Sequence, residues 1–207
     1  MQRRPLLAMG ALAPFASLLP LSARAASVGQ PAPDFTLMDT AGKPVTLSGF
    51  KGKTVVLEWN NPGCPFVRKH YQGNMQALQK EAADQSVVWL AINSTEKAAS
   101  DYMAPATLAA WMGEKKASPS ATLMDEDGKV GQAYAARVTP HMYIVNAQGL
   151  LVYAGAIDSI ASARVGDIEK ATNYVRQALG EIKDGKPVSV ATNQAYGCTI
   201  KYKSGAA

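Results

Sequence analysis

The chain has 207 residues, of which 47% are hydrophobic and 18% charged, with a formal charge of +5. That balance suits a globular protein with a buried core and excludes a disordered or low-complexity polymer. No block of Lys or Arg marks a nucleic-acid partner, no internal repeat or heptad run is present, and scattered charge reads as a solvated surface.

Residues 1–25 read as an export signal peptide. Met1-Gln2-Arg3-Arg4 is a short basic start, residues 6–21 are an apolar run, and Ala23-Arg24-Ala25 has the form of a cleavage site. The run is short for a membrane span and contains Pro14 and Pro20, so no stable span is expected. Arg3-Arg4 followed by Pro5-Leu6-Leu7 also suits a twin-arginine signal. Cleavage removes three arginines and no acid, so the formal charge of +5 falls to +2. What remains, residues 26–207, has the length of one domain. Both cysteines, Cys64 and Cys198, lie in it. In an oxidising compartment they can pair permanently or cycle as a redox couple.

Residues 35–38 and 45–47 read as a hairpin across the turn Asp39-Thr40-Ala41-Gly42. Val55, Val56, Leu57 and Trp59 form an apolar strand that runs into the polar turn Asn60-Asn61-Pro62-Gly63. The turn ends at Cys64-Pro65, and a helix reading follows to about residue 83, with Val67, Tyr71, Met75, Leu78 and Ala82 as one buried stripe. Residues 87–93 are a continuous apolar strand of the kind covered on both faces. Short helices are expected over 107–112 and 130–136, a strand over 121–124, and a hairpin over 142–146 and 150–154. A helix over 165–179 is stopped by Gly180, and residues 195–202 read as an extended tail or edge strand. The order implies an α/β fold, a central mixed β-sheet with helices on both faces and a β-hairpin at the N-terminal end.

Cys64 stands where the first turn of a helix leaves backbone N–H groups unpaired. Those donors and the helix dipole favour an anion, and such a position can lower a thiol from ~8.5 to roughly 3.5–7.5. Pro65 suits the first helical position. Arg68, four residues on, shares the face and adds positive charge. The pattern describes a nucleophilic thiolate, with a buried structural cysteine as the plainer reading. His70, six residues after Cys64, points away around the helix and reads as a surface residue. Asn60 and Asn61 can hydrogen-bond a thiolate or shape the turn. No cofactor and no metal cluster is called for by the residues.

Taken together, Gly29-x-x-Ala32-Pro33-Asp34-Phe35, the Cys64 turn, Thr139-Pro140-His141 and Gly197-Cys198-Thr199-Ile200-Lys201-Tyr202 resemble the alkyl hydroperoxide reductase/thiol-specific antioxidant (peroxiredoxin-like) group of the thioredoxin superfamily. The resemblance implies a thioredoxin-like fold, with Cys64 as attacking cysteine and Cys198 as the cysteine that resolves its disulfide. It implies that Pro140 is cis, that the Thr139 backbone offers hydrogen bonds to a disulfide substrate, and that Asn61 and His141 lie at the substrate side. Glu58 falls where thioredoxins carry a buried acid that takes a proton during exchange. The partners implied are an external thiol reductant or a disulfide-bearing protein. A hydroperoxide, reduced through a Cys64 sulfenic acid, is the alternative substrate, but the group's Pro-x-x-x-Thr-x-x-Cys is replaced here by Leu57 and Asn61. A different class, copper handling by Cys64 with His141 or a methionine, uses the preference of soft ligands for Cu(I). A structural module with a permanent Cys64–Cys198 bridge is the remaining one.

Overall fold

The computed structural model describes residues 25–203; the expected signal peptide, residues 1–25, falls outside them but for its last residue. Seven strands form one mixed sheet in the order β2-β1-β5-β4-β3-β7-β8. These are β1 (Thr36–Asp39), β2 (Pro44–Thr46), β3 (Val55–Trp59), β4 (Val88–Asn93), β5 (Ala121–Met124), β7 (His141–Val145) and β8 (Leu151–Gly155). β3, β4 and β5 are parallel, joined by helical crossovers, and the antiparallel partners sit at both edges. A separate two-stranded ribbon pairs β6 (Val138–Thr139) with β9 (Cys198–Thr199). The expected hairpins are present, with Thr36 opposite Thr46 and Ile144 opposite Tyr153.

Strand alternation divides the core into two layers. Val56, Trp89, Ala91, Met142 and Ile144 face the helices that follow Cys64, together with Val67, Tyr71, Met75 and Leu78. Leu57, Trp59, Leu90, Ile92, Tyr143 and Val145 face the other layer, with Tyr134 and Ile200. β3 and β4 are buried along their whole length, as their largely apolar runs imply, with Glu58 as a buried acid within β3. Each large aliphatic side chain in them contributes roughly 1.5–3 kcal/mol of burial.

The helices depart from the sequence reading in three places. The helix expected to run on from Cys64 is two: α1 (Pro65–His70) and α2 (Asn74–Asp84). Gly73 takes φ +121° at the break, a backbone state that only glycine adopts easily. The apolar stripe survives the break, because all five of its residues are buried. α3 (Pro105–Glu114) and α4 (Lys129–Ala133) lie where short helices were expected. The last helix, α5 (Tyr174–Lys183), starts well after residue 165. Asn173 caps it by accepting the Arg176 N–H at 2.9 Å, and Gly180 lies inside it. Residues 165–167 form only a 3-10 turn, held by Asp167 on Ser162 and Arg164.

Beyond α5 the chain straps the sheet. The Ala154 N–H donates to the Ala191 carbonyl, and Asn193 holds the Ala156 N–H and the Tyr153 hydroxyl. The tail then crosses the end of the sheet: Tyr196 and Cys198 pack on the Cys64 layer, Ile200 and Tyr202 on the opposite one.

Candidate active site

The turn between β3 and α1 is built from side chains that bond its own backbone. Asn61 Oδ1 accepts the Gly63 N–H at 2.7 Å, while its Nδ2 donates to Thr95 Oγ1 at 2.8 Å and Asp101 Oδ2 at 3.1 Å. Asn61 therefore shapes the turn and ties it to the loop after β4; with both ends of its amide engaged, it is not placed as a free substrate donor. Arg68 lies on the expected side, but its Nε donates to the Pro62 carbonyl at 2.7 Å, so it too braces the turn.

Cys64 is the residue before α1, with Pro65 in the first helical position, as the sequence implies. Its sulfur does not bond the helix amides. Instead Sγ donates to the Thr139 carbonyl at 3.0 Å, so Cys64 stands here as a thiol under a lid. It is 2% exposed. The Thr139–Pro140 peptide is cis, and Thr139 pairs with Cys198 across the β6–β9 ribbon. Both cysteines are free. The Cys198 thiol is within hydrogen-bonding reach of Cys64, and burial, that contact and the nearby Asp101 carboxylate push it up to about 12. The two cysteines, 134 positions apart by residue number, thus converge on Thr139: the Cys64 sulfur bonds its carbonyl and Cys198 pairs with it across the ribbon.

Glu58 is fully buried on β3, on the Cys64 side of the sheet. Its Oε1 accepts from Asn60 Nδ2 and the Tyr71 hydroxyl, both at 2.8 Å, and its Oε2 from Trp89 Nε1 at 2.8 Å. Burial raises its pKa in spite of these donors. Asn60 Oδ1, in the same knot, is buried without a partner.

His141 is not beside Cys64. It lies opposite Trp59, whose side chain belongs to the other layer, and its ring packs on Tyr143 with centroids 4.5 Å apart. The Tyr143 hydroxyl donates to the Tyr134 carbonyl at 2.9 Å, so at 3.2 Å it accepts from His141 Nδ1. Alternation of side chains along β7 turns His141 to the face away from the thiols. Burial, with Arg137 nearby, lowers its pKa to about 4.

His70 corrects the surface reading: it is fully buried. It belongs to a charged cluster that the sequence did not suggest, formed by Lys69, His70 and Asp158. Lys69 Nζ lies 3.3 Å from Asp158 Oδ2, and His70 Nε2 lies 3.7 Å from the same oxygen. Asn74 Nδ2 donates to His70 Nδ1 at 2.8 Å, which leaves the proton of the neutral ring on Nε2. Burial lowers His70 to about 4, against an ordinary 6.5. The folded form therefore stays neutral where the unfolded chain takes up a proton, and His70 stabilises fully above pH 6.5 and loses that contribution as pH falls to 4. A loss of about 3 kcal/mol from His70 is expected over that window, read as the difference in pH dependence of urea unfolding between wild type and His70→Gln, since the like-shifted His141 contributes equally to both.

Among the described residues no group of three or more His, Cys, Asp or Glu side chains is arranged to hold a metal ion, and Cys64 and His141 stand on opposite faces of the sheet. No described helix is long and apolar enough to cross a membrane.

Comparison with known proteins agrees with this geometry. Residues 28–154 match the AhpC/TSA family. A chloroplastic peroxiredoxin Q from Sedum lineare is 37% identical over 94 residues, 42% of this chain and 50% of that protein; the chain spans about half the length of this curated relative. A hypothetical protein from Sinorhizobium meliloti 1021 superposes with a TM-score of 0.77 at 26% identity, covering 88% of this chain and 98% of the other. The thioredoxin domain of a thiol-disulfide oxidoreductase from Bacteroides vulgatus shares the fold, with a TM-score of 0.51 at 22% identity over 70% of this chain and 96% of that one. A mixed sheet flanked by helices, a cysteine opening the helix after β3 and a cis-proline loop laid against it are the thioredoxin-like arrangement, and the chain belongs to the AhpC/TSA family.

Proposed function

We propose that this protein is an exported thiol-dependent oxidoreductase that works by thiol–disulfide exchange through Cys64 and Cys198. The observation that carries this reading is the convergence of both cysteines on Thr139, whose carbonyl receives the Cys64 thiol and whose strand pairs with Cys198. In the forward step the Cys64 thiolate attacks one sulfur of a partner's disulfide; a Cys64–partner disulfide forms and the other partner sulfur leaves as a thiol. Cys198, deprotonated, then attacks the Cys64 sulfur, releases the second partner thiol and closes a Cys64–Cys198 disulfide. The partner is reduced by two electrons, and an external dithiol returns the pair to the thiol form.

The helix opening at Cys64 supports the first step, since an anion there faces unpaired amides once the sulfur swings away from Thr139. Glu58, a buried acid with a raised pKa on the same side of the sheet, supports a role in receiving a proton during exchange. Burial and Cys64 itself hold the Cys198 thiol protonated, so the second step needs its proton removed or the tail opened to water. Export rests on the basic start, apolar run and A-x-A form of residues 1–25.

Hydroperoxide reduction is less well supported. Leu57 is a core residue of β3, and Asn61 and Arg68 are tied to the turn rather than held as free donors. Stopped-flow oxidation of the reduced protein separates the two substrates. Rapid oxidation by a protein disulfide with slow response to hydrogen peroxide is expected; fast, Cys64-dependent consumption of peroxide with no response to disulfides would replace this reading with a peroxidase.

A further inference from the structure

Lys69 and His70, buried on α1, have no part in the exchange chemistry, yet with Asp158 they receive one side chain of the tail. Lys69 is 2% exposed, unusual for a lysine, and sits on the helix that Cys64 opens. Its partner Asp158 also accepts the Tyr196 hydroxyl at Oδ1. The same hydroxyl lies 3.3 Å from His70 Nε2, which carries the proton and so donates to it. The Tyr196 ring meets Phe66 edge to face at 5.6 Å and lies under Lys69 Nζ at 5.8 Å. Phe66, Lys69 and His70 all belong to α1. The tail is thus fastened to α1 at its far end by Tyr196 and at its opening by Cys198.

Between those points lies Gly197, with φ +147°. A Cβ there would overlap the Thr139 carbonyl oxygen, the same oxygen that receives the Cys64 thiol. The tail backbone therefore lies directly on the loop expected to bind the substrate, and it pairs there through β9. Beyond Cys198 the tail is held by separate bonds to other elements: the Ile200 N–H donates to the Arg137 carbonyl and the Glu96 N–H to the Lys201 carbonyl, both at 2.9 Å, and the Tyr202 hydroxyl donates to the Ala136 carbonyl at 2.8 Å. Lys201 Nζ approaches Asp101 Oδ1 at 2.6 Å, a contact that is ionic rather than a directed hydrogen bond, between partly exposed groups.

We propose that Tyr196 is the latch of this tail: the Lys69–Asp158–His70 cluster receives its hydroxyl, sets Cys198 on Cys64, and keeps the Thr139 edge covered until a partner displaces β9. This rests on the exchange reading for its purpose, but the latch itself can be tested without it. Tyr196 is a positioning residue, since it acts through where it places Cys198 and never touches the reacting sulfur.

The test is Tyr196→Phe, which keeps the ring on Phe66 and Lys69 and removes only the hydroxyl. In a Cys198→Ser background of the full chain, the alkylation rate of Cys64 by iodoacetamide is expected to rise about tenfold, the effect of losing one hydrogen bond to a charged group. Gly197→Ala, which lifts the strand by a different route, should raise it in the same direction. With both cysteines present, the equilibrium with reduced and oxidised glutathione should shift about tenfold away from the Cys64–Cys198 disulfide in Tyr196→Phe. An alkylation rate unchanged within about twofold in both variants would overturn the latch, even if the urea midpoint falls. Absence of any Cys64–Cys198 disulfide in the wild-type titration would instead remove the exchange reading and leave the alkylation result to judge the latch alone.

Discussion

Cys64→Ser is expected to abolish turnover of a protein disulfide, by about a thousandfold or more, with little change in fold. The hydroxyl keeps the size and the donor of the thiol, so the hydrogen bond to the Thr139 carbonyl and the packing against Val67 and Tyr71 have a replacement. A serine hydroxyl without an adjacent base is a poor nucleophile at neutral pH, and no oxygen can form the mixed disulfide. Cys198→Ser has a different signature. The first attack survives, the second does not, and the expected product is a long-lived mixed disulfide between Cys64 and the partner, visible as an added mass that reductant removes. Normal turnover in Cys64→Ser would overturn the assignment of the attacking sulfur. Normal turnover in Cys198→Ser, without trapped adduct, would make Cys64 a one-cysteine centre served by outside thiols. If the pair were a structural bridge, both variants would mainly lower the urea midpoint, and the activity pattern would not distinguish them.

The largest stability effect is expected at Glu58. Three donors converge on its carboxylate from three different elements: Asn60 after β3, Tyr71 after α1 and Trp89 in β4. Glu58→Ala strips all three of their acceptor inside a sealed core, and each orphaned buried donor costs about 1–3 kcal/mol. A loss of about 3 kcal/mol or more is expected in urea unfolding. Glu58→Gln asks a separate question about charge. The folded pKa of Glu58 lies above its ordinary 4.5 because burial outweighs the donors. The folded state therefore holds a proton that the unfolded chain gives up, and the group's stabilising contribution is complete below pH 4.5. That contribution falls away as pH rises through the raised folded value. Wild type should lose stability relative to Glu58→Gln as pH climbs from 4.5 toward neutrality, then run parallel to it. Curves that are parallel throughout would mean that the fold leaves the pKa of Glu58 at its unfolded value, and would remove the raised affinity for a proton on which its role in exchange rests.

Periodicity carried the strands well because each had a strong and local cause. β3 and β4 are apolar at all but one position each, Glu58 and Asn93, and end up covered on both faces; the hairpins announce themselves through turn residues. The stripe from Val67 to Ala82 was also legible, since all five of its residues stay buried across the three-residue break at 71–73. Ends were harder. The start of α5 depends on whether the Asn173 side chain caps the Arg176 amide, a choice made by what packs around it rather than by the run of residues. The position of Cys64 before Pro65 was readable for the same local reason, but the direction of its sulfur was not. That depends on a carbonyl 75 residues away.

The surprises share this origin. A lysine and a histidine following Phe66-Val67-Arg68 look like the solvated side of a helix, and only the arrival of Asp158 from the loop after β8 lets both be buried. His141 sits beside Pro140 in sequence, yet strand alternation turns its ring to the opposite face.

What the residues alone determined is the kind of chemistry: a cysteine opening a helix after an apolar strand, a second cysteine 134 positions on, and an acid six positions before the first. What tertiary structure alone decided is which of these groups meet. Hydrogen bonds and charge pairs act over a few ångströms, and the chain brings Cys198, Thr139 and Asp158 within that range of α1 only when the tail folds back across the sheet.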